Sequence, residues 1–224
     1  MPTTLLSLHG FTMNGAGLRH MLSELEPRLS DLLDFECPDA PHLASEASVA
    51  GIASLLGGFR PKPPNRQWWN ASDDRLTYHG WDETRDLLRV TAERSLTAER
   101  SLTAEPRPSE PHGVALLGFS QGAAVAAALA ALSRRGEFPP LRFIVLVAGF
   151  APRAHDIEPL FDTPLEVPSL HVWGDADPFA KHGPKLLERF APHTRQLLEW
   201  AGRHTIPTSG SAADTIVEFM RQHA

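Results

Sequence analysis

Apolar and polar positions at the start of the chain follow two different periods. Residues 5–8 form a short apolar run that predicts a strand, and residues 16–29 carry apolar side chains at roughly helical spacing. A second strand is predicted at 32–37. Pro38 and Pro41 must lie outside the sheet, because proline has no N–H to donate to a strand ladder. The pattern predicts strand, helix, strand.

The second half of the chain shows the same alternation. Strands are predicted at 114–117, 143–147, 170–173 and 196–200, and helices at 123–135, 184–190 and 212–221. Strands that alternate with helices are typical of an α/β fold. We therefore predict a mostly parallel central sheet with helices on both faces.

Residues 42–80 interrupt the alternation, because no clean period runs through them. Glycine and proline pairs lie there close to three large aromatic side chains, Trp68, Trp69 and Tyr78. Segments of this length without regular structure tend to be functional or disordered, and the aromatic side chains argue against disorder. We interpret 42–80 as an irregular, lid-like excursion.

A hexapeptide duplication lies within the helix predicted at 81–103. The sequence TAERSL occupies 91–96 and again 97–102. Six residues advance a helix by about 600°, so the leucines of the two copies fall about 120° apart and cannot form one apolar stripe. We therefore predict that 91–111 is an exposed helical extension followed by a Pro-rich linker.

Length and charge limit the classes of protein. With 224 residues, of which 42% are hydrophobic, the chain fits one domain, 1–224. The 21 Lys and Arg side chains against 27 Asp and Glu give a formal net charge of −6 without a long basic run. This balance argues against a nucleic-acid partner and favours a small-molecule partner.

Cysteine usage and hydropathy indicate the compartment. Cys37 is the single cysteine, and no Cys/His pair has the spacing of zinc ligands, so we expect no metal and no cofactor. The longest apolar run, 122–132, is far shorter than the roughly 20 residues that span a bilayer, and the N-terminus lacks the positive segment of a signal peptide. We expect a cytoplasmic protein without stable membrane insertion.

The pentapeptide from Gly118 to Gly122, with Ser120 at its centre, matches Gly-x-Ser-x-Gly. The motif alone is weak evidence, but here it follows an apolar strand and begins a helix, as the nucleophile of the α/β-hydrolase fold does. The glycines allow a tight turn that lifts the serine clear of the sheet. The alternative is a Gly-rich strand-to-helix turn in some other α/β protein.

A serine nucleophile needs a base, which in this fold follows the last strand. His204 meets that condition, since it lies between the strand 196–200 and the last helix. His171 lies inside a strand, His193 precedes the last strand and His223 is at the C-terminus, so each is better explained as a structural or surface residue.

The acid that orients the base should follow the strand 170–173. Asp175 and Asp177 both stand there, in Gly-Asp-Ala-Asp-Pro. We prefer Asp177, because Pro178 fixes the exit of the chain after it, whereas Asp175 can cap the turn through its own backbone. Asp175 remains the alternative.

Two backbone N–H groups are candidates for an oxyanion hole. Gln121 N–H lies at the positive end of the helix after the serine, and Phe11 N–H lies in the loop after the first strand, where Gly10 allows close approach. We interpret His9 as a hydrogen-bonded support for that loop.

The sequence resembles the family serine hydrolases (FSH family), a branch of the α/β-hydrolases, over nearly its whole length. The similar motifs are LHGF at 8–11 with Asn14-Gly15, DAPH at 39–42, Trp68-Trp69 with Tyr78 and Gly80, GFSQGA at 118–123, AGFAP at 148–152, SLHVWGDAD at 169–177, and Gly202-Arg203-His204 with Pro207. The resemblance implies hydrolysis of carboxylic esters or thioesters of acyl groups, carrier-bound substrates included. It implies Ser120 as nucleophile, Asp177 as acid and His204 as base.

The chain departs from the family pattern at Arg203, where relatives commonly have glycine. This arginine either narrows the mouth of the site and binds an anionic group, or is an exposed loop residue. Trp68, Trp69 and Tyr78 are candidate acyl-binding residues, and packing of the excursion explains them equally well.

The function predicted from sequence is a serine esterase or thioesterase that works through an acyl-enzyme intermediate. Two alternatives stay open. One is a non-hydrolytic protein that binds a small ligand on the same scaffold, since a fold does not fix a function. The other is a lipase-like esterase that acts at interfaces.

Overall fold

The computed structural model describes residues 2–56, 60–102 and 113–224, without the side chains of 99–102. The strands are β1 (Thr3–Leu8), β2 (Leu33–Glu36), β3 (His42–Leu43), β4 (Arg66–Gln67), β5 (Asn70–Ala71), β6 (Tyr78–His79), β7 (Val114–Phe119), β8 (Leu141–Val147), β9 (Ser169–Gly174) and β10 (Arg195–Trp200). The helices are α1 (Gly15–Met21), α2 (Glu46–Leu55), α3 (Trp81–Leu102), α4 (Gln121–Arg134), α5 (Gly183–Leu187) and α6 (Gly210–His223).

Six strands form one parallel sheet in the order β10-β9-β8-β7-β1-β2. One row of paired residues crosses the sheet through Leu8, Gly118, Leu146 and His171. Because the strands are parallel, the loops that follow β1, β7, β8, β9 and β10 all leave the same edge. The predicted α/β fold with a largely parallel sheet is confirmed.

Two apolar cores cover the two faces of the sheet. On one face Leu6 and Leu116 pack with α4, whose residues from Gln121 to Leu132 are all buried. On the other face Leu5 and Leu117 pack with α1 and α6. Alternate strand residues therefore enter opposite cores, and the alanines of α4 allow that helix to lie close to the sheet.

The helix predicted at 16–29 is wrong in its extent. The α-helix ends at Met21, and Glu26–Arg28 forms a separate 3₁₀ turn. The leucines at 18, 22, 25 and 29 are nevertheless all fully buried, so the apolar period was correct. Pro27 stands in the first turn of that 3₁₀ segment, where its missing N–H costs no helical hydrogen bond.

The excursion is more regular than its sequence suggests. It contains helix α2, which the sequence analysis missed, and two short antiparallel ladders, β3 with β4 and β5 with β6. The Ser45 side chain caps α2 by accepting a hydrogen bond from Ser48 N. Helix α2 buries only Ala53, so its sequence carries no apolar stripe that could reveal it.

The start of the duplicated segment is not exposed, contrary to the prediction for 91–111. Thr91 and Ala92 are buried, and Leu96 packs against the core beside α4. Farther along, Thr97 and Ala98 are exposed. The first copy is partly buried because α3 still packs against the core of the sheet at that point. The two copies have the same sequence, so comparing them cannot show that the first copy reaches the core. The predicted linker at 103–111 lies outside the described residues.

None of the helices within the described ranges is long and apolar enough to cross a membrane.

Candidate active site

Ser120 lies at the carboxyl end of β7, in the turn that leads into α4. Its backbone has φ 54° and ψ −114°, a left-handed conformation that a non-glycine residue adopts only under constraint. The Ser120 N–H donates to the carbonyl oxygen of Val147 at 2.9 Å. A Cβ on Gly118 would overlap Ala123, and one on Gly122 would overlap the carbonyl of Leu8. Both flanking positions therefore require glycine.

Several backbone amides near Ser120 donate to no acceptor within the described part of the chain. They include those of Phe11, in the loop after β1, and of Gln121, at the first position of α4. In that loop Thr12 also has a positive φ, 65°. Unpaired amides at a helix start and in a tight loop suit a developing negative charge.

His9 supports the loop that contains Phe11. Its Nδ1 lies 2.9 Å from the Gly10 carbonyl, and its Nε2 accepts a hydrogen bond from Ala40 N at 3.0 Å. Burial lowers the pKa of His9 to about 4, so its ring is neutral at pH 7. A neutral ring with both nitrogens engaged is structural, as the sequence analysis expected.

Residues far along the chain fix the other side of this loop. The Asn14 amide donates to the carbonyls of Lys62 and Pro64, both at 2.8 Å, while its Oδ1 caps α1. Asn65 Nδ2 donates to the Thr12 carbonyl at 2.7 Å. The excursion therefore holds the loop after β1 in place.

His204 and Asp177 form a buried pair. Nδ1 of His204 lies 2.8 Å from Oδ2 of Asp177, and the two side chains are 6% and 0% exposed. The other carboxylate oxygen accepts a hydrogen bond from Phe179 N at 2.7 Å. The rings of Phe119 and Phe179 lie 5.0 and 5.1 Å from the imidazole and limit its rotation. The carboxylate thus holds the ring with Nε2 free.

Asp175, the alternative acid, has a different role. Its Oδ1 accepts a hydrogen bond from Gly202 N at 3.1 Å, and its own N–H donates to the Trp200 carbonyl. It ties the loop after β9 to the loop that carries His204, and no described histidine contacts its carboxylate.

The other histidines that were considered lie elsewhere. His171 is buried in β9 against Phe190, His193 is exposed beside Glu166, and His223 stacks on Phe219. None of the three lines the cavity described next.

A cavity of about 1710 Å³ opens over the carboxyl edge of the sheet. Ser120, His204, Phe11 and Gln121 all line it. Asp177 lies behind His204, and its side chain is fully buried. The structure thus brings together side chains from the loops after β1, β7 and β10, as expected for a parallel sheet.

The three aromatic candidates separate into two groups. Trp69 and Tyr78 stack with ring centroids 4.4 Å apart and line the cavity. Trp68 is fully buried outside the lining, with its Nε1 donating to the His9 carbonyl, so the structure places it in a supporting position. The Gln121 side chain joins both tryptophans, since it accepts from Trp68 N and donates to the Trp69 carbonyl. Sequence reasoning missed this contact.

The described residues offer neither an activated cysteine nor a cluster of metal ligands. Burial raises the pKa of the Cys37 thiol to about 11, which disfavours its thiolate. No three His, Cys, Asp or Glu side chains of the described residues are grouped to hold a metal ion.

A strained serine between a parallel strand and a helix, above a six-stranded parallel sheet, is the architecture of the α/β-hydrolases. Comparison with solved structures gives the same fold. Esterase PE8 superposes with a TM-score of 0.69 at 22% identity, covering 100% of this chain and 93% of that one. A Bacillus cereus carboxylesterase gives 0.64 at 13% identity, covering 100% and 89%.

Sequence comparison identifies the branch. The model of the serine hydrolase family FSH1 matches residues 1–216. Esterase OVCA2 of Mus musculus is 33% identical over 98% of this chain and 96% of its own length, and that of Homo sapiens is 31% identical over 100% and 97%. The chain belongs to the FSH1 serine hydrolase family. It is therefore an enzyme of the esterase class, which decides against the non-hydrolytic alternative.

Proposed function

We propose that the enzyme hydrolyses carboxylic esters or thioesters of acyl groups through a Ser120-His204-Asp177 triad and an acyl-enzyme intermediate. The observation that carries this proposal is the buried His204–Asp177 hydrogen bond of 2.8 Å at the cavity that contains the strained Ser120. The substrate is a small acyl ester or thioester, carrier-bound thioesters included.

In the proposed reaction, Nε2 of His204 takes the proton of Ser120 as Oγ attacks the acyl carbonyl carbon. Asp177 stabilises the imidazolium that forms, and the imidazolium then gives its proton to the departing alcohol or thiol. A water, deprotonated in turn by His204, attacks the acyl-enzyme and releases the carboxylic acid and the free serine.

The Phe11 and Gln121 amides are proposed to hold the oxyanion of each tetrahedral intermediate. Support comes from their lack of protein acceptors within the described ranges and from the rigid loops that carry them. Fixed donors in a site partly shielded from water stabilise developing charge without reorganisation, and one such donor contributes about 3 kcal/mol.

The acyl chain is proposed to lie against Trp69 and Tyr78 and along the apolar part of the cavity. That part is formed by Met13, Met21, Ile52, Leu55, Leu56 and Pro61. Apolar surface of this kind favours acyl chains through the hydrophobic effect, at about 0.8 kcal/mol for each buried methylene.

Replacing Ser120 by alanine tests the nucleophile. We expect hydrolysis of p-nitrophenyl acyl esters to fall by about 10⁶-fold, since only substrate binding and the oxyanion hole remain to accelerate the reaction in such variants. The circular dichroism spectrum should be unchanged, and the melting temperature should not fall, because alanine is no bulkier than serine. Retained turnover by a folded S120A protein would refute the assignment.

A fluorophosphonate probe provides an independent test of activation. The wild-type enzyme should be labelled at Ser120, because the probe reacts with a deprotonated serine, and the S120A variant should not be labelled. His204→Gln should slow labelling while leaving the serine present. Equal labelling rates in the wild-type and H204Q proteins would contradict the role of His204.

A further inference from the structure

The cavity differs in character on the two sides of Ser120. Strand β7, which carries Ser120, lies in the middle of the sheet. Toward β1 and β2 the lining comes mainly from α1, α2 and Pro61 and is apolar. Toward β8, β9 and β10 the lining comes from residues 148–159, 176–189 and 203–205, together with Arg75 of the excursion, and carries the charged side chains.

The charged side carries more cations than anions. Arg75, Arg153, Lys185, Arg189 and Arg203 line it, against the carboxylates of Glu158 and Glu188. Among these described lining residues the excess is three positive charges, in a chain whose formal net charge is −6. The basic residues are thus concentrated at the mouth of the site, against the overall charge of the protein.

Most of these cations are not neutralised by neighbours. Arg189 pairs with Glu158 at 3.1 Å. None of Arg75, Arg153, Lys185 and Arg203 forms an ion pair with another residue in the described ranges, and all four are exposed. Exposed arginines and lysines are usually paired loosely or solvated, but four unpaired cations around one cavity create a local positive potential.

Contacts bring these residues, which are distant in sequence, to the same place. The Arg153 N–H donates to the Tyr78 hydroxyl at 2.9 Å, and His155 N donates to the Leu76 carbonyl at 3.0 Å, so the turn that carries Arg75 lies against the loop after β8.

His182, in the loop after β9, lies close enough to these cations to be affected by their charges. Burial lowers its pKa from the ordinary value, and the charges of Lys181, Arg75 and Lys185 lower it further. Arg75 and Lys185 therefore act on the same point of the mouth, although 110 positions separate them in the sequence.

The position of His204 decides which part of the substrate meets this charge. The proposed reaction requires the imidazolium to protonate the leaving group, so the leaving group lies on the side of His204. His204 follows β10, on the basic side, and the apolar side is left for the acyl chain.

We infer that Arg75, Arg153, Lys185 and Arg203 select acyl esters or thioesters whose leaving group carries phosphate. The inference rests on the proposed function and adds the chemical class of the leaving group. A phosphate-bearing thiol and a phosphate-bearing alcohol share this chemistry.

Two matched substrate pairs test the inference. Hexanoyl-coenzyme A and hexanoyl-N-acetylcysteamine share the acyl chain and the thioester, and 1-hexanoylglycerol 3-phosphate and 1-hexanoylglycerol share the acyl chain and the ester. In at least one pair the wild-type enzyme should show the higher kcat/KM for the phosphorylated member. This preference should fall as the salt concentration is raised from about 0.02 to about 0.5 M, because the added salt shortens the screening length severalfold. The pair that shows the preference identifies the source of the phosphate.

The Arg75→Gln/Lys185→Gln double variant should lose the preference selectively. We expect the ratio of kcat/KM values within the pair to fall about two- to fivefold for each charge removed. Arg203→Gln should lower it by a similar factor. The uncharged member of each pair is the internal reference for every variant, so a general loss of stability does not change the ratio.

Arg135→Gln is the matched control. Arg135 is an exposed arginine at the far end of α4, about 20 Å from Ser120, and its removal changes the net charge equally. The ratio should not change in R135Q. A ratio that falls as much in R135Q as in the double variant would refute a local effect and overturn the inference.

Two further outcomes would overturn the inference. The first is the absence of any preference in both pairs. The second concerns the p-nitrophenyl half-ester of a dicarboxylic acid, whose carboxylate is on the acyl chain. If the double variant selectively loses activity on this substrate, the cations bind an anion on the acyl chain and not on the leaving group. If instead the proposed function fails, the wild-type enzyme will turn over none of these substrates and will not be labelled at Ser120.

Discussion

At the scale of single residues, the site depends on conformations and pairings that cost free energy in isolation. A backbone with φ 54° at Ser120 costs about 1–3 kcal/mol and persists because β7, α4 and the bond to Val147 constrain it. The buried Asp177 carboxylate is acceptable because the His204 ring and the Phe179 amide both donate to it. The constraint serves to present the serine hydroxyl above the sheet.

The two aspartates after β9 should respond differently to the same change. Asp177→Asn should lower kcat for p-nitrophenyl esters by about 10³- to 10⁴-fold, because the amide favours the wrong tautomer of His204. Asp175→Asn keeps an oxygen that can accept from Gly202 N, so kcat should change less than tenfold. Steady-state kinetics of the two variants distinguish them, and a larger loss in D175N than in D177N would reverse the assignment.

At the scale of elements, the turn that carries Ser120 and the lid-like excursion are built in opposite ways. The turn between β7 and α4 is packed against β1 so closely that Gly122 has no room for a side chain. Helix α2, by contrast, buries only Ala53 and leaves Leu55 60% exposed at the edge of the cavity. The turn that carries Ser120 is therefore rigid, while the side of the cavity next to α2 rests on a lightly packed helix.

Two glycine-to-alanine changes test this contrast. Gly122→Ala should destabilise the protein by about 2–4 kcal/mol and impair activity, because the new Cβ overlaps the Leu8 carbonyl. Gly51→Ala, in the middle of α2 where the new Cβ would meet no other atom within 4 Å, should stabilise the protein by up to about 1 kcal/mol.

Thermal unfolding followed by circular dichroism measures both changes. A lower melting temperature for G122A and an equal or higher one for G51A are expected. Equal melting temperatures for G122A and the wild-type protein would mean that the turn relaxes more readily than its packing indicates.

At the scale of the whole molecule, two buried histidines link stability to pH. Burial lowers the pKa of His171 to about 3 and that of His9 to about 4. The unfolded chain binds protons at these side chains near pH 6.5, whereas the folded chain does not. The stability that these two neutral histidines contribute is therefore fully present above about pH 6.5. It is lost as the pH falls toward their pKa values in the folded protein.

Replacing His171 should remove part of this pH dependence. Between pH 7.5 and 4.5 each buried histidine lowers the free energy of unfolding by about 2–3 kcal/mol. Nε2 of His171 has no hydrogen-bond partner in the described structure, so His171→Leu loses no bond at that atom. Urea unfolding at several pH values should show a smaller decline for H171L than for the wild-type protein. An identical decline would exclude His171 as a source.

The sequence alone was sufficient for the order of the six strands of the sheet and for the candidate chemistry. Apolar periodicity identified the strands of the sheet, because a buried parallel strand is a short, continuous apolar run. The turn glycines around Ser120 and the positions of Asp177 and His204 after successive strands are local signals, so they could be found without a structure.

Tertiary structure decided what depends on segments that meet only after folding. Three features join positions that lie about 50 to 110 residues apart in the sequence. They are the hydrogen bonds of the Gln121 side chain to the excursion, the burial of Trp68 away from the cavity, and the meeting of Arg75 with Lys185 at the cavity. No periodic or local signal records such contacts, since they arise from packing rather than from backbone preference. Sequence thus determined the sheet and the candidate triad, whereas the folded chain determined the walls of the cavity around Ser120 and their charge.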